Sequence, residues 1–219
     1  MADAALEAVV DDVLSTVQEM DRAGLTEGTA GNVSARTDDG RVVLSPTALP
    51  YASMTASDLV VVDFERRVLA GERAPTTEID LHLACLRWHA DVRAVVHTHA
   101  VHASMFAVAN QPIPCVLEEF EYYVGGDVLV APYSRTGTAA LGEAAAARLA
   151  DRAAVLLANH GLVVVGASAA EALQLTKLVE RAARIVWGAR TLGDPVPLPE
   201  AIREEFAASY LERRRKAAV

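Results

Sequence analysis

Apolar residues recur along this chain at two spacings, and the changes from one to the other predict its elements. Leu6, Val9, Val10, Val13, Leu14, Val17 and Met20 share one face of a helix over 6–23. Gly24 is a suitable stop for it. Short β-rich runs follow at Val42–Leu44 and 59–62, and Val68-Leu69 can pair with the second across the 63–67 turn. Ile79, Leu81, Leu83 and Leu86 return to helical spacing and end near Trp88, behind a Thr76-Thr77 entry suited to an N-cap. The run 92–96 reads as a buried strand and leads into His97-Thr98-His99; a short helix over 101–108 follows. The segment 118–126, dense in acids and aromatics, reads as an exposed connection whose tyrosines could serve a neighbouring subunit. Strands at 127–131, 154–158 and 162–165 alternate with helices at 137–149 and 168–191, the latter capped by Ser168. Pro195, Pro197 and Pro199 make a stiff connector to a final helix over 200–216. No linker divides the chain, so the pattern predicts one domain over 1–219 with a helical tail from about 199.

Composition changes this picture little. Of the 219 residues 52% are hydrophobic, much of that Ala and Val, which favours close helix packing and buried subunit contacts. The formal charge of -9 argues against nucleic acid as a partner, because that affinity rests on neutralising phosphates. Small anions stay possible, since backbone N–H groups bind them without net positive charge. Cys85 and Cys115 form no C-x-x-C and no disulfide framework. With neither a signal-peptide pattern nor an apolar run of membrane-spanning length, the expectation is a soluble cytoplasmic protein.

The candidate chemistry centres on His97-Thr98-His99. Side chains at i and i+2 of a strand share a face, so both imidazoles project together while Thr98 turns away. Two nitrogen donors on one rigid edge are half of a tetrahedral zinc site; a pair of satisfied structural histidines is the other reading. His160, between two buried apolar runs and followed by Gly161, supplies a third donor; the glycine permits a bulge that re-aims the ring. His82, one turn after Glu78 on the same helix face, is a rival ligand or a core histidine, and His102 leaves the strand geometry. Three histidines and one carboxylate suit a catalytic Zn2+, a Lewis acid for substrate oxygens that would stabilise the enediolate of a ketose. The 25–36 loop, with two glycines and small polar residues, can form an anion-binding nest or an ordinary turn. Hydroxyl-rich loops around Thr29, Thr47 and Thr76 could together hold a phosphate.

Five stretches in order, Gly28-Thr-Ala-Gly-Asn-Val-Ser34, Ser45-Pro-Thr47, Pro75-Thr-Thr-Glu78, Val96-His-Thr-His-Ala-Val-His102 and Asn159-His-Gly-Leu162, resemble the class II aldolase/adducin family, in its fuculose-phosphate aldolase branch. The likeness spans roughly 6–210. It implies an α/β/α sandwich around a largely antiparallel sheet, and a homotetramer with active sites at subunit interfaces. It implies Zn2+ held by His97, His99, His160 and, at rest, Glu78. Glu78 would then act as the base on dihydroxyacetone phosphate. Asn32, Thr47, Thr76 and Thr77 would hold the phosphate, supported by Thr29 and Gly31. A neighbouring subunit's tyrosine, Tyr122 or Tyr123, would protonate the aldehyde oxygen, with Glu118 or Glu119 as rivals for the acid role. Tyr210 would close over the site. The resemblance further implies cleavage of a ketose 1-phosphate, with decarboxylation or dehydration as alternatives and a metal-free interaction domain as the opposing class. Three features depart from the branch pattern, one being that Glu118–Tyr123 does not align with the tyrosine-bearing segment. Thr76-Thr77 replaces a serine pair, adding methyls to the pocket. Ala48 replaces a glycine, so its N–H would reach a ligand only at negative φ.

Overall fold

The computed structural model describes residues 2–217, with side chains from Ala4 onward. Helix α1 (Ala2–Arg22) leads into β1 (Asn32–Arg36), β2 (Val42–Leu44), β3 (Val60–Val62) and β4 (Val68–Ala70). Then come α2 (Ile79–Trp88), β5 (Ala94–Thr98), α3 (Val101–Val108), α4 (Glu118–Val124), β6 (Leu129–Ala131) and α5 (Ala139–Ala146). The chain ends with the hairpin β7 (Ala154–Leu157) and β8 (Gly161–Gly166), then α6 (Ala169–Ala189) and α7 (Glu200–Ala217). The eight strands form one sheet in the order β4-β3-β2-β1-β5-β8-β7-β6. Every pairing is antiparallel except β6 with β7.

The period-two alternation of the strands sorts their side chains into two cores. Val33, Ala35, Ala94, Val96, Leu162 and Val164 face α1, α3, α4 and α6. Val42, Leu44, Val95, Val155, Val163 and Val165 face α2 and α5. The result is the expected α/β/α sandwich around a largely antiparallel sheet. No helix among the described residues is long and apolar enough to cross a membrane.

Three segments differ from the sequence expectation. The second half of the 25–36 loop is strand β1. The acid-rich stretch 118–126 is not an exposed connection; it contains α4, whose Phe120, Glu121 and Val124 are buried. Phe120 and Val124 are four apart and enter the core, and the Glu121 carboxylate is paired with Arg203 of α7 at 3.2 Å. Arg203 also bridges Asp127 at 3.2 Å, which fastens the C-terminal helix to the start of the β6 segment. Around His160 there is no bulge in a continuing strand. The chain reverses, and Leu157 pairs with Gly161 across a tight turn. Asn159 takes the left-handed conformation there, φ 55°, which Asn tolerates better than most residues.

Candidate metal centre and active site

β5 lies at the middle of the sheet, and its C-terminal end carries the histidine pair. Asn32 of β1 stands opposite His97, and Val163 of β8 stands on the other side. The crowding there explains two glycines. A Cβ on Gly31, whose φ is 78°, would meet the His97 carbonyl oxygen at 2.7 Å. A Cβ on Gly161 would meet the Thr98 carbonyl oxygen at 2.5 Å and His99 Cδ2 at 2.9 Å. Both loops therefore press backbone directly against the His97–His99 strand. The Tyr51 hydroxyl donates to the Gly31 carbonyl and helps to hold the first of them.

His97, His99 and His160 converge, with donor atoms within 4.8 Å of one another. Their rings sit in mutual edge-on pairs, with centroids 5.0, 4.8 and 5.1 Å apart. The Nε2 atoms of His97 and His99 are 3.2 Å apart. Two nitrogens bound to one tetrahedral Zn2+ at ~2.05 Å would be separated by about 3.3 Å. His97 Nδ1–H donates to the Leu162 carbonyl at 3.0 Å, leaving the Nε2 lone pair directed at its neighbours. Glu78, which precedes α2, brings its carboxylate to the same point. Oε2 is 3.1 Å from His97 Nε2, and Oε1 is 3.5 Å from His160 Nε2. Glu78 Oε1 is buried with no hydrogen-bond partner. Converging nitrogen lone pairs and an orphaned carboxylate oxygen are what a cation would satisfy, so the donor set fits a metal ion.

Electrostatics favour the ligating protonation states. Burial works against the Glu78 charge. The facing His97, the Asn32 amide and His160 outweigh it and hold the carboxyl well below the usual range. Burial, reinforced by His97 and His160, pushes His99 down to about 4. His160 moves the same way, through burial first and His97 second. Fully buried His82 falls to about 3, again through burial first. A folded state with neutral imidazoles binds fewer protons than the unfolded chain, whose histidines titrate near ~6.5. Stability is thus complete above that pH and declines as pH falls toward the lowered folded values. Glu78, lowered from 4.5, adds a loss of the same sign in more acid solution. Thermal unfolding of chelator-treated protein should therefore show a midpoint falling steadily from pH 7 to pH 4. A flat profile over that range would count against neutral burial of these rings.

The cluster borders a cleft of about 360 Å³ lined by Thr29, Gly31, Asn32, Thr47, Ala48, Thr76, Thr77, Glu78, His99 and His160. The three loops singled out in the sequence thus meet. Thr136 joins them, unnoticed in the sequence; Gly137 beside it turns with φ 75° against the Thr77 carbonyl. The only sequence-level signal was the Thr-Gly turn itself. Ala48 does not take the negative φ set as the condition for its N–H contact. It sits at φ 56°, so the backbone follows a glycine-like path. Left-handed backbone costs an L-residue about 1–2 kcal/mol. Glycine loses roughly 0.5–1 kcal/mol more entropy on folding than alanine. Ala48→Gly should consequently stabilise the protein by ~0.5 kcal/mol, read as a rise in the denaturant midpoint. A fall would mean that the Ala48 methyl makes a compensating contact.

Other residues lie elsewhere in the chain. Tyr122, Tyr123 and Tyr210 line a separate cavity of about 350 Å³ with Arg213 and Arg214. Tyr210 is buried against Gly125, and the Arg213 guanidinium stacks 3.7 Å from the Tyr122 ring centre. Glu119 is paired with Arg181. His102, set aside as a ligand, bonds through Nδ1 to Glu180 of α6 at 2.7 Å. The Glu180 carboxylate also accepts from the backbone N–H groups of His102 and Ala103, capping the first turn of α3. His82 is a core residue rather than a ligand, with both ring nitrogens paired inside the protein.

The fold and the donor set place a candidate metal site beside a polar cleft, carried at the centre of an α/β/α sandwich. The chain matches the class II aldolase and adducin N-terminal domain over residues 11–187, and it belongs to that family. It is 37% identical over 201 residues to the L-fuculose phosphate aldolase of Escherichia coli O6:H1, covering 92% of this chain and 91% of the relative. The 5-deoxy-D-ribulose 1-phosphate aldolase of Bacillus thuringiensis is 34% identical over 201 residues, covering 91% and 94%. Among solved structures, an L-fuculose 1-phosphate aldolase superposes with TM-score 0.88 at 31% identity, over 93% of this chain and 96% of that one. Relatives named as aldolases support a lyase.

Proposed function

We propose that the protein is a Zn2+-dependent aldolase that reversibly cleaves a ketose 1-phosphate to dihydroxyacetone phosphate and an aldehyde. The observation that carries this reading is the convergence of three imidazoles and both Glu78 oxygens on one point at the rim of a hydroxyl-lined cleft. The relatives named for L-fuculose phosphate, 5-deoxyribulose 1-phosphate and 5-methylthioribulose 1-phosphate suggest a deoxy-ketose 1-phosphate.

His97, His99 and His160 would hold the ion, with Glu78 a fourth ligand at rest. When bound, Zn2+ supplies Lewis-acid polarisation of the substrate oxygens. Thr47, Thr76 and Thr77, with the Thr29–Gly31 loop, present hydroxyls and backbone N–H groups to the phosphate. Glu78 is ionised and buried at the cleft wall, so it can take the proton from the carbon beside the dihydroxyacetone phosphate carbonyl. That carbon bonds to the aldehyde, whose oxygen takes a proton from an acid. Tyr122 or Tyr123 of a neighbouring subunit is our assignment for it; Tyr210, buried against Gly125, is not placed to close the cleft of its own chain. A homotetramer remains our reading from the family resemblance; a subunit contact in it is supported by α3, which starts two residues after His99. Its Val101, Met105 and Val108, 57%, 41% and 63% exposed, share one helix face.

Zinc-loaded protein should release dihydroxyacetone phosphate from 5-deoxyribulose 1-phosphate or L-fuculose 1-phosphate, measured by coupled reduction. Release of carbon dioxide from 3-keto acids, with no dihydroxyacetone phosphate from any ketose 1-phosphate, would assign a decarboxylase instead.

A further inference from the structure

The Glu78 carboxylate is held unequally. Oε2 accepts a hydrogen bond from Asn32 Nδ2 at 3.0 Å, whereas Oε1 has no hydrogen-bond partner. Behind Asn32 stand two residues that do not line the cleft. Asn32 Oδ1 is bonded to His82 Nε2, and His82 Nδ1 is 2.6 Å from Ser34 Oγ. His82 and Ser34 are fully buried, and Asn32 and Glu78 are each 5% exposed. The arrangement follows from two periodicities. Asn32 and Ser34 are two apart on β1 and face α2, while Glu78 and His82 are four apart at the start of α2.

Elementary hydrogen-bond chemistry gives the chain a direction. An ionised carboxylate only accepts, so Asn32 must turn its NH2 group to Glu78. Its Oδ1 then faces His82, which must donate from Nε2–H. Nδ1 is left bare and accepts from the Ser34 hydroxyl. An apolar side chain at 82 would leave Asn32 Oδ1 buried without a donor, and the amide would no longer be held in the orientation that suits the carboxylate. Of the two N–H bonds on Asn32 Nδ2, one is committed to Glu78.

We propose that His82 and Ser34 are positioning residues for proton transfer. They lock the Asn32 amide so that it pins one oxygen of Glu78 and leaves the other to receive the substrate proton. This rests on Glu78 being the base in the reaction proposed above.

The test has a structural arm and a kinetic arm. In zinc-loaded protein labelled with 15N at histidine, His82 should appear as the Nε2–H tautomer. The Nδ1–H tautomer would overturn the proposal. Zinc-loaded His82→Leu should exchange the carbon-bound proton of dihydroxyacetone phosphate about 10–100-fold more slowly, the range typical when a ligand's brace is lost. His82→Gln, which can donate to Asn32 and accept from Ser34, should recover most of that loss. Equal loss in both variants, or a His82→Leu rate within twofold of wild type, would overturn the proposal. Should His82→Leu not fold, Ser34→Ala takes its place: it removes one hydroxyl and should slow exchange at unchanged zinc content, and a wild-type rate would overturn the proposal. A wild-type protein that exchanges no proton would sink the aldolase reading, while the tautomer would still decide the hydrogen-bond chain.

Discussion

Glu78→Gln should leave a folded, zinc-loaded protein that no longer exchanges the carbon-bound proton of dihydroxyacetone phosphate. Glutamine has nearly the same shape, and its amide oxygen can still accept from the Asn32 amide that holds Glu78 Oε2. The three imidazoles keep their positions on β5 and the β7–β8 turn. What disappears is a basic oxygen. A positioned general base contributes about 10²–10⁴-fold to a proton transfer, so the exchange rate should fall by that range. Exchange followed by NMR in deuterated buffer, beside metal analysis of the same sample, separates the two roles given to Glu78. A near-normal rate would show that another group takes the proton.

His160→Ala should abolish zinc binding with little cost to the fold, and His97→Ala should abolish it at a larger cost. His160 sits on a tight turn with its side chain 14% exposed, and its Nδ1 has no protein partner. Little besides the metal depends on it. His97 is fully buried, and its Nδ1–H is the donor to the Leu162 carbonyl. Its removal opens a cavity and takes one hydrogen bond from that carbonyl, a loss of about 0.5–1.5 kcal/mol for the bond alone. Losing one of three nitrogen donors should weaken zinc by more than the ~10–100-fold typical of losing a residue that only braces a ligand. Zinc titration followed by a competing chelator reads the affinity, and thermal unfolding of the metal-free variants reads the fold. Wild-type affinity in His160→Ala would remove it from the ligand set.

Much of this site was legible because its signals are local. The i, i+2 histidines needed only the strand period, and the helix that Glu78 precedes needed only its apolar spacing. His160 was visible as a histidine at the end of a buried run, although the turn that aims it was read as a bulge. Local pattern also recovered most helices and strands. What stayed hidden depends on partners distant in sequence. Helix α4 was obscured because Glu121 looks like a surface acid until Arg203, 82 residues later, pairs with it in the interior. Thr136 carries no motif and reaches the cleft through the packing of Gly137 on Thr77. The resemblance assigns Asn32 to phosphate, yet one of its amide hydrogens and its oxygen are already committed to Glu78 and His82. The role of His82 could not be read from its helix face, because its other partner, Ser34, lies on β1.

The measurement that tests the central claim most directly is the metal content of the protein purified without chelators. One zinc per chain is expected, falling to near zero in His160→Ala prepared in the same way. Less than a few tenths of a zinc in the wild type, or equal zinc in both proteins, would contradict a catalytic centre built on His97, His99 and His160.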